Sequence, residues 1–322
     1  MPGAAVPPAA PLAVRPSLPP ELGLALPPPE RERAYSPSSC IGGNYAPFVA
    51  AYGERSRQAR EAAAAAGGVW QSRRYGPLPA HRLELCLPSR PAAAAAAPLL
   101  LFVHGGYWQE LSAAQSLFAA PACVGRGAAF AALEYTLAPA ASVADIVAEC
   151  RTALAWLGTH AASLGIDPGR VVVAGSSAGA HLAAMLSLPE PGTAGAACAA
   201  GAAGAPLRPR AAVLVSGVYW LEPLVGTGIN DALGMDAPAA ARASPGLQPL
   251  AGFPPALLAW GEIETAAFKA QSRCFGAALR AAASTCTELE VPGRNHFDVV
   301  LDLADPGSAL GAWTLAALDA PR

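Results

Sequence analysis

An apolar run, Val171-Val172-Val173-Ala174, passes directly into Gly175-Ser176-Ser177-Ala178-Gly179 and then into the helical pattern Ala180-His181-Leu182-Ala183-Ala184-Met185-Leu186. A buried strand, a G-x-S-x-G turn and a helix in unbroken succession leave a chain little choice of architecture. The glycines permit a sharp strand-to-helix reversal that a Cβ would obstruct. Such a turn belongs at the carboxyl edge of a parallel sheet. It places the Ser177 hydroxyl, exposed, at the amino end of the following helix, so the pattern predicts a serine nucleophile.

The flanking sequence supplies the sheet. Strand-like apolar runs fall at 82–87, 99–103, 129–135, 171–174, 211–216, 256–260 and 287–291, with helical patterns at 115–125, 143–164, 178–188, 266–282 and 310–318. Regular alternation of this kind predicts an α/β protein of the α/β-hydrolase fold, with a mostly parallel central sheet and helices on both faces. At 322 residues the chain fits one such domain. We expect that domain over 31–322, after a tail over 1–30 whose proline clusters (Pro7-Pro8, Pro19-Pro20, Pro27-Pro28-Pro29) argue for disorder. The polyalanine tracts at 62–66 and 92–97 read as tolerated filler, and the Gly/Ala tract at 192–205 as a surface loop.

Composition narrows the classes of partner. A net charge of −2 favours neither nucleic acid nor an anionic membrane surface. The longest apolar stretch, 92–103, is broken by Pro98 and is shorter than the roughly eighteen residues of a spanning helix. Seven cysteines spread singly read as reduced thiols of a cytoplasmic protein. The five histidines show no metal-binding spacing, so no metal and no cofactor is expected. The expected partner is a small-molecule substrate; a homodimer is compatible with the chain.

A serine hydroxyl needs a base, a group to orient that base, and donors for the developing oxyanion. In α/β-hydrolases these follow in the order nucleophile, acid, histidine. His296 alone among the histidines lies beyond the elbow helix, in a loop just after the 287–291 strand, and is the expected base. His181 points down the helix and reads as structural; His81 and His160 read as surface residues. The strand at 99–103 ends in His104-Gly105-Gly106-Tyr107-Trp108, similar to the oxyanion turn of esterases. Backbone N–H groups of Gly105 or Gly106, with that of Ala178, would form the oxyanion hole, and His104 would brace the turn. The acid should follow the 256–260 strand, where Gly261-Glu262-Ile263-Glu264-Thr265 offers two glutamates and no aspartate. Glu264 is favoured because it lies deeper in the loop; Glu262 is the alternative.

These residues resemble the kynurenine formamidase (arylformamidase) family. His104-Gly105-Gly106-Tyr107-Trp108 is similar to its HGGxW signature, Tyr35-Ser36-Pro37-Ser38 to its Y-S-P-S segment, Ser216-Gly217 through Leu221-Glu222-Pro223 to its S-G-x-x-x-L-E-P stretch, and Asn295-His296-Phe297 to its x-H-F. The resemblance covers roughly 31–320. It implies Ser177 as nucleophile and His296 as base. It also supports Glu264, which stands where the family has aspartate in a G-x-x-D-x-x-x-F loop, between Gly261 and Phe268. The implied reaction is hydrolysis of N-formyl-L-kynurenine to kynurenine and formate. Tyr107, Trp108, Tyr219 and Trp220 are then candidates for an aromatic substrate wall, with half-buried packing as the other reading of Tyr219 and Trp220. A carboxylesterase on the same fold remains open. So does a non-catalytic binding protein, which the exchange of aspartate for glutamate would fit.

Overall fold

A computed structural model describes residues 18–89, 96–189 and 207–320. Its strands are β1 Gly68–Arg74, β2 Arg82–Pro88, β3 Ala97–Val103, β4 Ala129–Leu133, β5 Ile166–Ser176, β6 Ala211–Val215, β7 Ala256–Ile263 and β8 Cys286–Asn295. They form one 8-stranded sheet in the order β1-β2-β4-β3-β5-β6-β7-β8. β2 pairs antiparallel with β1 and with β4; every pairing from β4 through β8 is parallel.

The helices are α1 Pro28–Ala34, α2 Ala46–Ala65, α3 Ala120–Val124, α4 Val143–Leu164, α5 Ala178–Ser187, α6 Asn230–Leu233, α7 Ala237–Ala243, α8 Ala266–Ala281 and α9 Ala309–Asp319. Parallel strands need crossovers, which α3, α4, α5, α6–α7 and α8 provide. Side-chain alternation along the strands divides the core into two layers. Leu99, Leu101, Val103, Val171 and Val173 face α4, α5 and α8, while Leu100, Phe102, Val172 and Ala174 face α2, α3 and α9. A strand buried on both faces reads as continuous apolar sequence, which is why β3 and β5 are so plain in the chain.

Capping sets the ends of α4. Ser142 and Asp145 form a reciprocal capping box at its start, and Gly165, at φ 65°, closes it in the left-handed region.

The N-terminal boundary differs from expectation. Residues 1–17 lie outside the described residues, but the chain is already folded onto the body before residue 31. Leu22 is fully buried, and its carbonyl accepts the Tyr35 hydroxyl at 2.8 Å. Proline does not prevent α1, because it sits in the first turn, where no intrahelical N–H is required. The polyalanine at 62–66 is likewise structural: it ends α2, with Ala63 fully buried. Of the tract at 92–97, residues 96 and 97 are described and Ala97 opens β3. The tract at 192–205 lies outside the described residues. The helix expected at 115–125 shrinks to α3, preceded by a single 3-10 turn at Ala113–Gln115. Among the described residues, no helix is long and apolar enough to cross a membrane.

Candidate active site

β5 ends at Ser176, and α5 begins at Ala178, leaving Ser177 alone to turn the chain at φ 57° and ψ −122°. A non-glycine residue there stores roughly 1–3 kcal/mol of backbone strain, which the surroundings must hold. They do so through the Ser177 N–H, which donates to Val215 O at 2.8 Å, and the Ser177 carbonyl, which accepts from Ala180 and His181. The flanking glycines are steric requirements. A Cβ on Gly179 would collide with the Val103 and His104 carbonyls, and one on Gly175 with the Gly179 carbonyl.

The turn after β3 lies against this elbow. A Cβ on Gly105 would sit 2.7 Å from Ser176 O and 3.2 Å from Ser177 Cβ, so the Gly105 backbone passes directly beside the serine. Gly106, Tyr107 and Trp108 follow at φ 96°, 49° and 60°, three successive residues in the left-handed region. Two of them are bulky, a rare arrangement that needs outside support. Trp108 provides much of it. It is fully buried, packs edge-on against the His181 ring at 5.0 Å, and its carbonyl accepts from Ala138 N at 2.8 Å. Trp108 is therefore not part of a substrate wall: its indole anchors the turn from behind. His104 braces the turn as expected, stacked on Tyr135 at 4.2 Å, with Nε2 3.2 Å from Glu134 Oε1.

The carboxyl ends of β7 and β8 bring the expected acid and base together. His296 Nδ1 lies 3.0 Å from Glu264 Oε2, and both residues are buried. Glu264 Oε1 accepts from the Gly261 N–H at 2.7 Å and from the Ser216 hydroxyl at 2.6 Å. Glu262 is exposed and its carboxylate accepts instead from Gly293 N at 2.8 Å. Ser216 was not among the expected site residues, although it opens the S-G stretch just after β6.

Ser177, His296, Gly105, Gly106 and Tyr107 line one cavity of about 220 Å³. Its other walls come largely from the N-terminal segment. Pro37 and the α2 side chains Val49 and Tyr52 line it, as do Tyr45 just ahead of α2, Phe118 and Phe297. Tyr45 stacks on Phe297 at 5.4 Å, and the Tyr52 hydroxyl donates to the Phe297 carbonyl. Tyr107 lines the cavity, held by a 2.6 Å hydrogen bond from its hydroxyl to Tyr35 O. Tyr219 and Trp220 do not reach the cavity. Tyr219 is fully buried and stacked on Phe275 at 4.2 Å, and Trp220 packs edge-on to the same ring. The packing reading holds for both, and the aromatic lining of the cavity comes instead from Tyr45, Tyr52, Tyr107, Phe118 and Phe297.

Two histidines outside the cavity also find their places. His81 is buried rather than on the surface, 3.3 Å from Glu149 Oε1 and stacked on Tyr75. His181 is fully buried, with Nε2 2.7 Å from Ala243 O. Burial is the main influence on its pKa and lowers it to about 4, against a smaller upward effect of the Ala243 carbonyl. The unfolded chain protonates this ring near the ordinary histidine value of 6.5, so the unfolded state binds the extra proton first as the pH falls. This contribution to stability is complete above pH 6.5 and is lost down to pH 4. The loss amounts to about 3 kcal/mol. We expect wild type to lose more unfolding free energy over that interval than His181→Gln does, in chemical denaturation at both pH values. Equal losses would show that His181 is not the group responsible.

Sheet order, elbow and cavity together define an α/β-hydrolase. The BD-FAE family model matches residues 83–194. Kynurenine formamidase of Danio rerio is 28% identical over 246 residues, covering 72% of this chain and 75% of its own length. That of Salmo salar is 28% identical over 72% of this chain and 76% of its own. Among solved structures, one from Silicibacter sp. tm1040 matches with a TM-score of 0.69 at 28% identity, over 87% of this chain and 96% of its own. The carboxylesterase EstE1, cloned from a metagenomic library, matches with a TM-score of 0.61 at 24% identity, over 82% and 93%, and so supports the fold. The chain is a hydrolase, and a kynurenine formamidase-like one.

Proposed function

We propose that this chain is an arylformamidase that hydrolyses N-formyl-L-kynurenine to L-kynurenine and formate through Ser177, His296 and Glu264. The observation that carries the reading is the cavity itself: the elbow serine opens into a space walled by Tyr45, Tyr52, Tyr107, Phe118 and Phe297. Aromatic walls suit an aryl substrate through offset and edge-on ring contacts. The relatives named kynurenine formamidase that match over 72% of the chain point to the same chemistry.

A carboxylate only accepts hydrogen bonds, so Glu264 Oε2 holds the proton of His296 on Nδ1 and leaves Nε2 free to act as base. Nε2 takes the Ser177 proton as Oγ adds to the formyl carbon. The N–H groups of Gly105 or Gly106 and of Ala178 stabilise the resulting oxyanion, each such donor contributing about 3 kcal/mol to the transition state. Collapse breaks the C–N bond, and His296 returns its proton to the departing arylamine. A water deprotonated by His296 then adds to the formyl ester, formate leaves, and Ser177 recovers its proton. No metal takes part in this sequence. The same reading assigns the enzyme to the cytoplasm, supported by six free cysteines among the described residues.

Steady-state kinetics on N-formyl-L-kynurenine and p-nitrophenyl acetate test the substrate assignment. We expect kcat/KM for the formamide to equal or exceed that for the ester. A value for the formamide far below the ester's would make the chain a carboxylesterase.

A further inference from the structure

Ser216 is a residue the reaction above does not use, yet its placement is as constrained as that of the nucleophile. It follows β6 directly, as Ser177 follows β5, and it too is a non-glycine residue in the left-handed region, at φ 51°. The two serines are linked through the sheet. Ser177 N–H donates to Val215 O, and the next residue, Ser216, donates its own N–H to Ala259 O at 2.8 Å. The strained backbone turns the Ser216 side chain away from the core layers and toward the loop after β7. There the hydroxyl, with its residue fully buried, donates to Glu264 Oε1 at 2.6 Å.

Glutamate is one methylene longer than the aspartate that the family resemblance puts at this position, and an extra rotatable bond gives its carboxylate more ways to miss the histidine. Here both other donors converge on a single oxygen. Ser216 Oγ–H and Gly261 N–H meet Oε1, so the second oxygen, Oε2, is left directed at His296 Nδ1. Hydrogen bonds to a charged acceptor are the strong and short ones, and a buried carboxylate that lost one would be left under-solvated as well as free to rotate. Gly261 N–H cannot do this alone, since one donor leaves the carboxylate free to pivot about that contact.

We infer that Ser216 is a positioning residue: its hydroxyl fixes the glutamate rotamer that presents Oε2 to His296. The inference rests on the reading of Glu264 and His296 as acid and base, and the experiment separates the two.

Ser216→Gly is the informative variant, because glycine accepts the positive φ without strain, so the hydroxyl is removed while the backbone is eased. Ser216→Ala serves as its companion. On N-formyl-L-kynurenine and on p-nitrophenyl acetate, Ser216→Gly is expected to lower kcat by about tenfold to a hundredfold. KM should stay within about twofold of wild type. In a Glu264→Gln background the same substitution should cost little, because the group it positions is already disabled. Wild-type kcat in Ser216→Gly, with Glu264→Gln impaired, overturns the inference alone. An equal fractional loss in both backgrounds overturns it too, in favour of a general structural role. Wild-type kcat in Glu264→Gln itself overturns the acid assignment and the inference together.

Discussion

Ser177→Ala is expected to abolish turnover, lowering kcat by about four orders of magnitude or more. The variant should fold, because alanine retains the Cβ and the elbow is held by its backbone hydrogen bonds to Val215, Ala180 and His181, none of which involves Oγ. The residual rate would come from the oxyanion donors and the cavity acting on bound water. Reaction with a fluorophosphonate, which reports the nucleophile independently of substrate choice, should disappear in the same variant. Ser176→Ala is the control. Ser176 ends β5 and lines the same cavity, so it tests whether any hydroxyl in this place suffices. It should keep labelling and most of its activity. Labelling that survives Ser177→Ala, or is absent from wild type, would favour a hydrolase-fold protein that binds without catalysing.

The parts of this site that could be read in the chain are those where a backbone requirement forces a residue type. G-x-S-x-G is legible because β3, the elbow and α5 touch so closely that glycine is the only side chain that fits. Strands β3 and β5 are legible because burial on both faces leaves nothing but apolar residues. The N-terminal wall was not legible for the opposite reason. Tyr52, Ser56, Ala59 and Ala63 form the buried stripe of α2 at helical spacing, and Tyr45 and Val49 continue it into the cavity. Serine and alanine dilute that stripe, and polyalanine disguises its end. Trp108 lies behind the turn, and the choice between wall and packing at Tyr219 stays open in the chain, because sequence gives the loop a residue belongs to, not the side of the loop its ring takes. At Trp108 the positive φ sends the indole behind the turn, where it meets His181.

The choice between the two glutamates also depends on direction, and it carries the second large prediction. Glu264→Gln should lower kcat by about three to four orders of magnitude. The loss would not come from disturbed geometry. A glutamine carbonyl oxygen can still accept from Ser216 and Gly261, where Glu264 Oε1 accepts now. Its amide nitrogen would then face His296 Nδ1 as a donor. A donor there forces the imidazole proton onto Nε2, the atom that must receive the proton of Ser177, so the histidine is locked in the wrong tautomer. Glu262→Gln meets none of these conditions. Its carboxylate is exposed and bonded to Gly293 N, an acceptor role that the glutamine carbonyl can take over, so activity should stay within about twofold. Parallel kcat measurements on the two variants decide the matter, since equal or reversed effects would overturn the assignment of the acid to Glu264. The expected asymmetry follows from the end of β7, where the pairing with β8 shifts register between Gly261 and Ile263, Glu262 faces solvent and Glu264, just past the strand, turns inward to His296.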